Sequence, residues 1–146
     1  MKSHLLCQWP RDRLRRLEEE QEGTVEGMGL RGFDYLKDFE DGSGATVVVL
    51  GKEAGVVSRG VSLRAVGDPV NRRVGRVIAR GRAIRAFLRG RSSSIVCPLV
   101  DGKSRVFPSD AARWYGETFG FEKSWWGVGK LTEEEEGIWW RRKVGK

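Results

Sequence analysis

Apolar residues change their spacing along this chain, and each change predicts a change of element. From Phe33 onward the spacing is two. Phe33, Tyr35 and Phe39 alternate with Asp34, Leu36, Asp38 and Glu40, which predicts a half-exposed strand. Asp41-Gly42-Ser43-Gly44 has turn composition, and the run Ala45–Leu50 (ATVVVL) reads as a second strand. After another turn at residues 51–55, Val57, Arg59, Val61, Leu63 and Ala65 share one face of a third strand. Ser58, Ser62 and Arg64 share the other.

The spacing then switches to three and four. Within Asp68–Gly90, Val70, Val74, Val77, Ile78, Gly81, Ile84 and Leu88 form one apolar stripe of an α-helix. Asp68 has the chemistry of a cap, Pro69 suits a first turn, and Gly90 follows the last apolar position. The stripe is expected to lie on the sheet. The opposite face is small: Gly75, Ala79, Ala83 and Ala86. Gly81 lowers helix propensity by about 1 kcal/mol inside the stripe, which a close approach of helix to sheet would explain.

The flanks are less regular. Residues 10–22 read as a charged helical arm with only Leu14 and Leu17 apolar, basic first and acidic later, against the helix dipole. Residues 23–32 are a glycine-punctuated connector. Residues 94–107 suggest a hairpin around Asp101-Gly102, and Ser109 or Asp110 begins a short helix. In the tail, Thr132 and Glu135 have capping-box spacing, which predicts a short helical turn joining two aromatic strands that carry Trp125-Trp126 and Trp139-Trp140. The fold class is therefore α+β. An antiparallel meander of about three strands packs on one arginine-rich helix, with a C-terminal hairpin and helix extension. The expected organisation is an arm and connector over residues 1–32, a β-β-β-α core over 33–91, and a Trp-rich extension over 92–146.

Charge sharpens the picture. The net charge of +7 is concentrated, since residues 57–91 hold ten arginines against a single acid. Residues 1–56 carry more acids than bases. A localised excess of Arg, whose planar fork grips phosphate, points to a polyanion surface. Arg72, Arg73, Arg76 and Arg80 lie on one flank of the apolar stripe, where like charges four apart repel and a bound anion would relieve them. Arg82 lies on the other flank, and Arg59 and Arg64 of the preceding strand are further candidates for phosphate contact. The competing reading is that acids from elsewhere, such as Asp34, Asp38, Glu40 or Asp41, neutralise this ridge.

The Gly75, Ala79, Ala83 spacing is one that lets helices approach closely, so this face is a candidate homodimer interface. One Trp of each pair, among Trp125, Trp126, Trp139 and Trp140, is expected to face outward as a stacking platform for bases or as a contact for a protein partner. Nothing supports catalysis. His4 is the only histidine, Cys7 and Cys97 are isolated, and no Walker A or dinucleotide fingerprint is present. The four acids at 133–136 read as a solvated turn. No metal, no cofactor and no enzymatic activity are expected. The absence of a long apolar run or a signal-peptide layout leads to the expectation of a cytoplasmic protein with no membrane association.

The segment GVSLRAVGDPVNRRVGRVIARGRAIRAF resembles a strand–helix signature of short phage and prophage proteins. Asp68, Asn71, Arg72, Gly75, Arg76, Ile78, Ala79, Gly81, Arg82 and Ala83 match it. The chain departs from that signature in the Pro after the Asp and in its Trp-rich tail. Looser likenesses are to double-stranded RNA-binding-like folds and to small phage anti-defence sponges, as in the Thoeris system. The residues and these likenesses together give three functional expectations. The first is nucleic-acid binding through the arginine-rich helix in a host cytoplasm. The second is oligomeric sequestration of a phosphate-bearing nucleotide signal. The third is inhibition of a host protein machine through the Trp-rich C-terminal surface.

Overall fold

The computed structural model describes residues 10–52, 57–67, 69–90, 99–100, 103–104, 109–119 and 131–144. Three antiparallel strands form the middle layer in the order β1-β2-β3: β1 is Arg31–Asp38, β2 Gly44–Gly51 and β3 Val57–Arg64. The central strand is buried along its whole length. Alternation sends its side chains to two separate cores. Ala45, Val47 and Val49 face one side with Phe33, Val57 and Val61, while Val48 and Leu50 face the other. The α+β class and the three-stranded meander are as the alternation predicts.

Two helices cover the Val48 side. Helix α1 (Arg11–Gly27) precedes the sheet, and helix α2 (Arg72–Leu88) follows it. Leu14 and Leu17 of α1 meet Val74, Val77 and Ile78 of α2, and Val25 and Met28 meet the later residues Ile84 and Phe87 in the core over β2. The two helices therefore run parallel and begin at the same end of the molecule. The arm is not a separate appendage; it is the second helix of this layer.

Helix α2 is turned relative to its expected orientation, which corrects the assignment of its faces. Ala79 and Ala83 are fully buried against the sheet, and Ala86 is nearly so. The valines of the stripe face α1 instead, leaving Val70 and Leu88 at its two ends 61% and 69% exposed. The reason is Gly60 on β3. A Cβ there would lie 1.9 Å from the carbonyl oxygen of Ala79 and 2.4 Å from the amide nitrogen of Ala83. Backbone thus approaches backbone, and only small residues fit between. The glycine that permits the close approach is Gly60, not Gly81, where a Cβ would only come within 3.4 Å of the Gln21 side chain of α1. The helix also starts later than expected. Asn71 caps it by accepting from the amide of Val74 at 3.1 Å, and Asp68 lies outside the described residues.

Two further helices cover the Val47 side: α3 (Asp110–Phe119) and α4 (Glu133–Val144). The turn before β2 captures the start of α3. Asp41 Oδ2 accepts from the amide of Asp110 at 2.7 Å, Ser43 Oγ from Ala111 at 3.0 Å, and Ser109 Oγ from Ala112 at 3.1 Å. Three of the amide groups that a helix leaves without partners at its start are thereby satisfied. Tyr115 and Phe119 then fill the core over Val47 and Val61. The Thr132–Glu135 capping box forms as predicted, with bonds of 3.1 and 3.2 Å. It opens a twelve-residue helix rather than a turn, so Trp139 and Trp140 sit on a helix and not on a strand. The hairpin of the extension appears as two short paired strands, β4 (Leu99–Val100) and β5 (Lys103–Ser104).

Candidate anion-binding surface

The arginine ridge of α2 lies in the notch between α1, α2 and β1, and acids of this chain engage it. Arg73 donates to both carboxylate oxygens of Glu18, at 2.6 and 3.4 Å. Arg76 Nε donates to Asp34 of β1 at 3.3 Å. Arg80 Nη1 lies 4.0 Å from Glu22 Oε1. The like-charge repulsion along this ridge is therefore relieved within the molecule. Glu18 and Glu22 follow each other along α1 as Arg73 and Arg80 do along α2, as parallel helices require. The bond from Arg73 holds the Glu18 carboxyl below the usual carboxylate range, and the same bond raises the Arg73 guanidinium.

The remaining candidates divide sharply. Arg82 donates to the carbonyl of Val61 at 2.7 Å, tying α2 to β3. Arg64 donates to the carbonyl of Gly42 at 2.6 Å and to Asp38 at 3.1 Å, bracing the turn between β1 and β2. Arg59 is only 4% exposed and forms a bidentate pair with Glu135 of α4, at 2.9 and 2.5 Å. Tyr35 donates its hydroxyl to the same carboxylate at 2.7 Å, and the Phe119 ring lies 4.5 Å below the guanidinium. This cluster locks α4 to the sheet and is closed to any ligand. Burial, followed by the adjacent Glu135 charge, pushes the Tyr35 hydroxyl well above its ordinary range.

The exposed basic groups lie elsewhere. Arg11, Arg13, Arg15 and Arg16 of α1 and Arg72 of α2 are exposed toward the end where the two parallel helices begin, with Asp12 there pairing with Arg15 at 3.6 Å. Each helix start carries partial positive charge from amides lacking helical partners, so both dipoles reinforce the arginines there. Arg85 and Arg89 are exposed near the opposite end of α2. Sequence reasoning missed Arg11 and Arg16 because the basic half of the arm has no obvious relation to α2 until the helices are seen to be parallel.

The other candidate surfaces are mostly internal. Ala79 and Ala83 are occupied by the sheet, which corrects their assignment to a dimer interface. Gly75 faces the Thr46 hydroxyl, to which a Cβ would come within 2.8 Å. Trp139 packs against Phe33 with ring centroids 6.0 Å apart and belongs to the core over Val47. Trp125, Trp126 and the side chain of Trp140 lie outside the described residues. Among the described residues, no three His, Cys, Asp or Glu side chains converge to hold a metal ion, and no helix is long and apolar enough to cross a membrane. Comparison with protein-family models, with curated protein sequences and with solved structures finds no match to this chain.

Proposed function

We propose that this protein binds nucleic acid without catalysis, through the end at which α1 and α2 begin together. The observation that carries this reading is the partition of the arginines. Arg76 and Arg80 are partly buried and face acids of this chain, and Arg73, though exposed, is bonded to Glu18, whereas Arg11, Arg16 and Arg72 are exposed beside two helix starts. A phosphate backbone is long and carries regularly spaced charge, so it suits a spread of exposed arginines better than one enclosed pocket would. The concentrated basic excess of the sequence supports the same partner class.

Fluorescence anisotropy with a labelled duplex and a labelled single strand tests the reading across a salt series. Each phosphate neutralised on duplex DNA contributes about 0.9 to the slope of log affinity against log salt. Replacing Arg11, Arg16 and Arg72 together by Gln is expected to lower the slope by about 3. Arg73→Gln is expected to leave it unchanged, because Glu18 already holds that guanidinium. A slope that falls with Arg73→Gln and ignores the triple variant would return the contact to the ridge.

A further inference from the structure

A cleft of about 240 Å³ opens between α1, the inner side of β1 and the flank of α2. Its floor is apolar and tightly packed, formed by Leu30, Val48 and Leu50, with Val25 beside them. Its rim is charged, with Glu22 and Glu26 from α1 and Arg80 from α2. The volume lies below the roughly 300–1,000 Å³ typical of drug-sized pockets, so the cleft suits a smaller molecule.

Arg80 is the unusual member. Its side chain is 17% exposed, and its Nη1 is sealed from water with no hydrogen-bond acceptor. An ionised donor left this way carries a desolvation cost that a bound carboxylate would remove. Glu22 does not remove it. Its carboxylate stands 4.0 Å away on a side chain that is 71% exposed, so it is able to swing aside and admit a ligand group to the guanidinium. Asp34, also on the rim, is committed to Arg76. Glu22 and Glu26 then remain as acceptors for a positive group.

The arrangement specifies the ligand's chemistry. One end must be a carboxylate for Arg80, and another must be an ammonium for the α1 glutamates. The body between must be short and apolar to lie on Leu30, Val48 and Leu50. A phosphate dianion is the wrong charge, since the rim holds three carboxylates to one guanidinium. We infer that this cleft binds a free amino acid with an aliphatic side chain, carboxylate on Arg80 and ammonium toward Glu22 and Glu26. This inference is independent of the nucleic-acid reading, because Arg11, Arg16 and Arg72 do not line the cleft.

Isothermal titration calorimetry of the full chain tests it with four probes: L-leucine, leucinamide, N-acetyl-leucine and inorganic phosphate. L-leucine is expected to bind saturably at one site per chain, and each capped derivative to bind at least about tenfold more weakly. The Glu22→Gln/Glu26→Gln variant alters only exposed side chains, and its melting temperature is expected to stay close to that of the unaltered chain. It is expected to weaken L-leucine about tenfold, and Arg80→Lys, which keeps the charge and removes the fork, to do likewise. Saturable binding of phosphate in place of L-leucine overturns the inference. So does equal binding of leucinamide, no saturable heat up to about 10 mM L-leucine, or unchanged affinity in both variants.

Discussion

Gly60 lies under α2 with no room for a methyl group, the carbonyl of Ala79 and the amide of Ala83 being the obstructing atoms. Both belong to helix backbone, which cannot rotate away as a side chain would. Gly60→Ala is therefore expected to push α2 off the sheet and to cost about 3 kcal/mol, read as a lowered urea midpoint. An unchanged midpoint would mean that α2 does not press on Gly60. Glu135 makes the complementary case on the other face. Its carboxylate, fully buried, is satisfied by Arg59, the Tyr35 hydroxyl and the Thr132 amide. Glu135→Ala strands the Arg59 charge among Phe119 and the sheet, at a cost of about 3–5 kcal/mol. Arg59→Met combined with Glu135→Leu removes both charges and is expected to recover most of that loss. Tyr35→Phe deletes one bond to an ionised acceptor and is expected to cost about 2 kcal/mol.

Between elements, periodicity identifies what is apolar but not which neighbour it meets. The stripe on α2 was legible in the sequence, yet it faces α1. The sheet takes the alanines because Gly60 brings the two backbones together, and nothing local to α2 encodes that. The capping box was legible because Thr132 and Glu135 are three residues apart. The length of α4 was not, since an aromatic pair serves equally on a strand or a helix until its tertiary partner, here Phe33, is known. The grip of Asp41 and Ser43 on α3 spans almost seventy residues and leaves no trace in spacing. For the candidate site, the arginines were visible and their acids only in part: Asp34 was foreseen, Glu18 and Glu22 were not. These acids predict a pH dependence. Hydrogen bonds hold the Glu18 and Asp41 carboxyls below their ordinary values, Glu18 through Arg73 and Asp41 chiefly through the Ser43 hydroxyl. A depressed carboxyl stabilises the fold above its unfolded value, and that contribution disappears as pH falls through the lower folded value. Stability is expected to decline as pH drops through the range below about 4.5. Urea midpoints from pH 7 to pH 3 check this. Glu18→Gln should be less stable at pH 7 and should show a shallower decline.

At the scale of the whole molecule, charge serves two ends with opposite sensitivity to salt. The central strand is buried on both faces, so apolar packing in two cores carries the fold. The surface ion pairs contribute little, since pairs such as Arg73–Glu18, Arg76–Asp34 and Lys37–Glu134 remain partly exposed. The deeply buried pair among the described residues, Arg59–Glu135, is out of reach of counterions. Stability should therefore be nearly indifferent to ionic strength, whereas a contact made by exposed arginines should not be. Raising salt from about 50 to 500 mM is expected to move the melting temperature by no more than about 4 °C, equivalent to about 1 kcal/mol for a domain of this size. Over the same tenfold range, duplex affinity should fall several hundredfold if about three phosphates are neutralised. Calorimetric melting and anisotropy on one preparation measure both. A fold that melts with the loss of binding would place the arginines in the structure rather than at its surface. Binding lost from an intact fold would assign Arg11, Arg16 and Arg72 to the ligand.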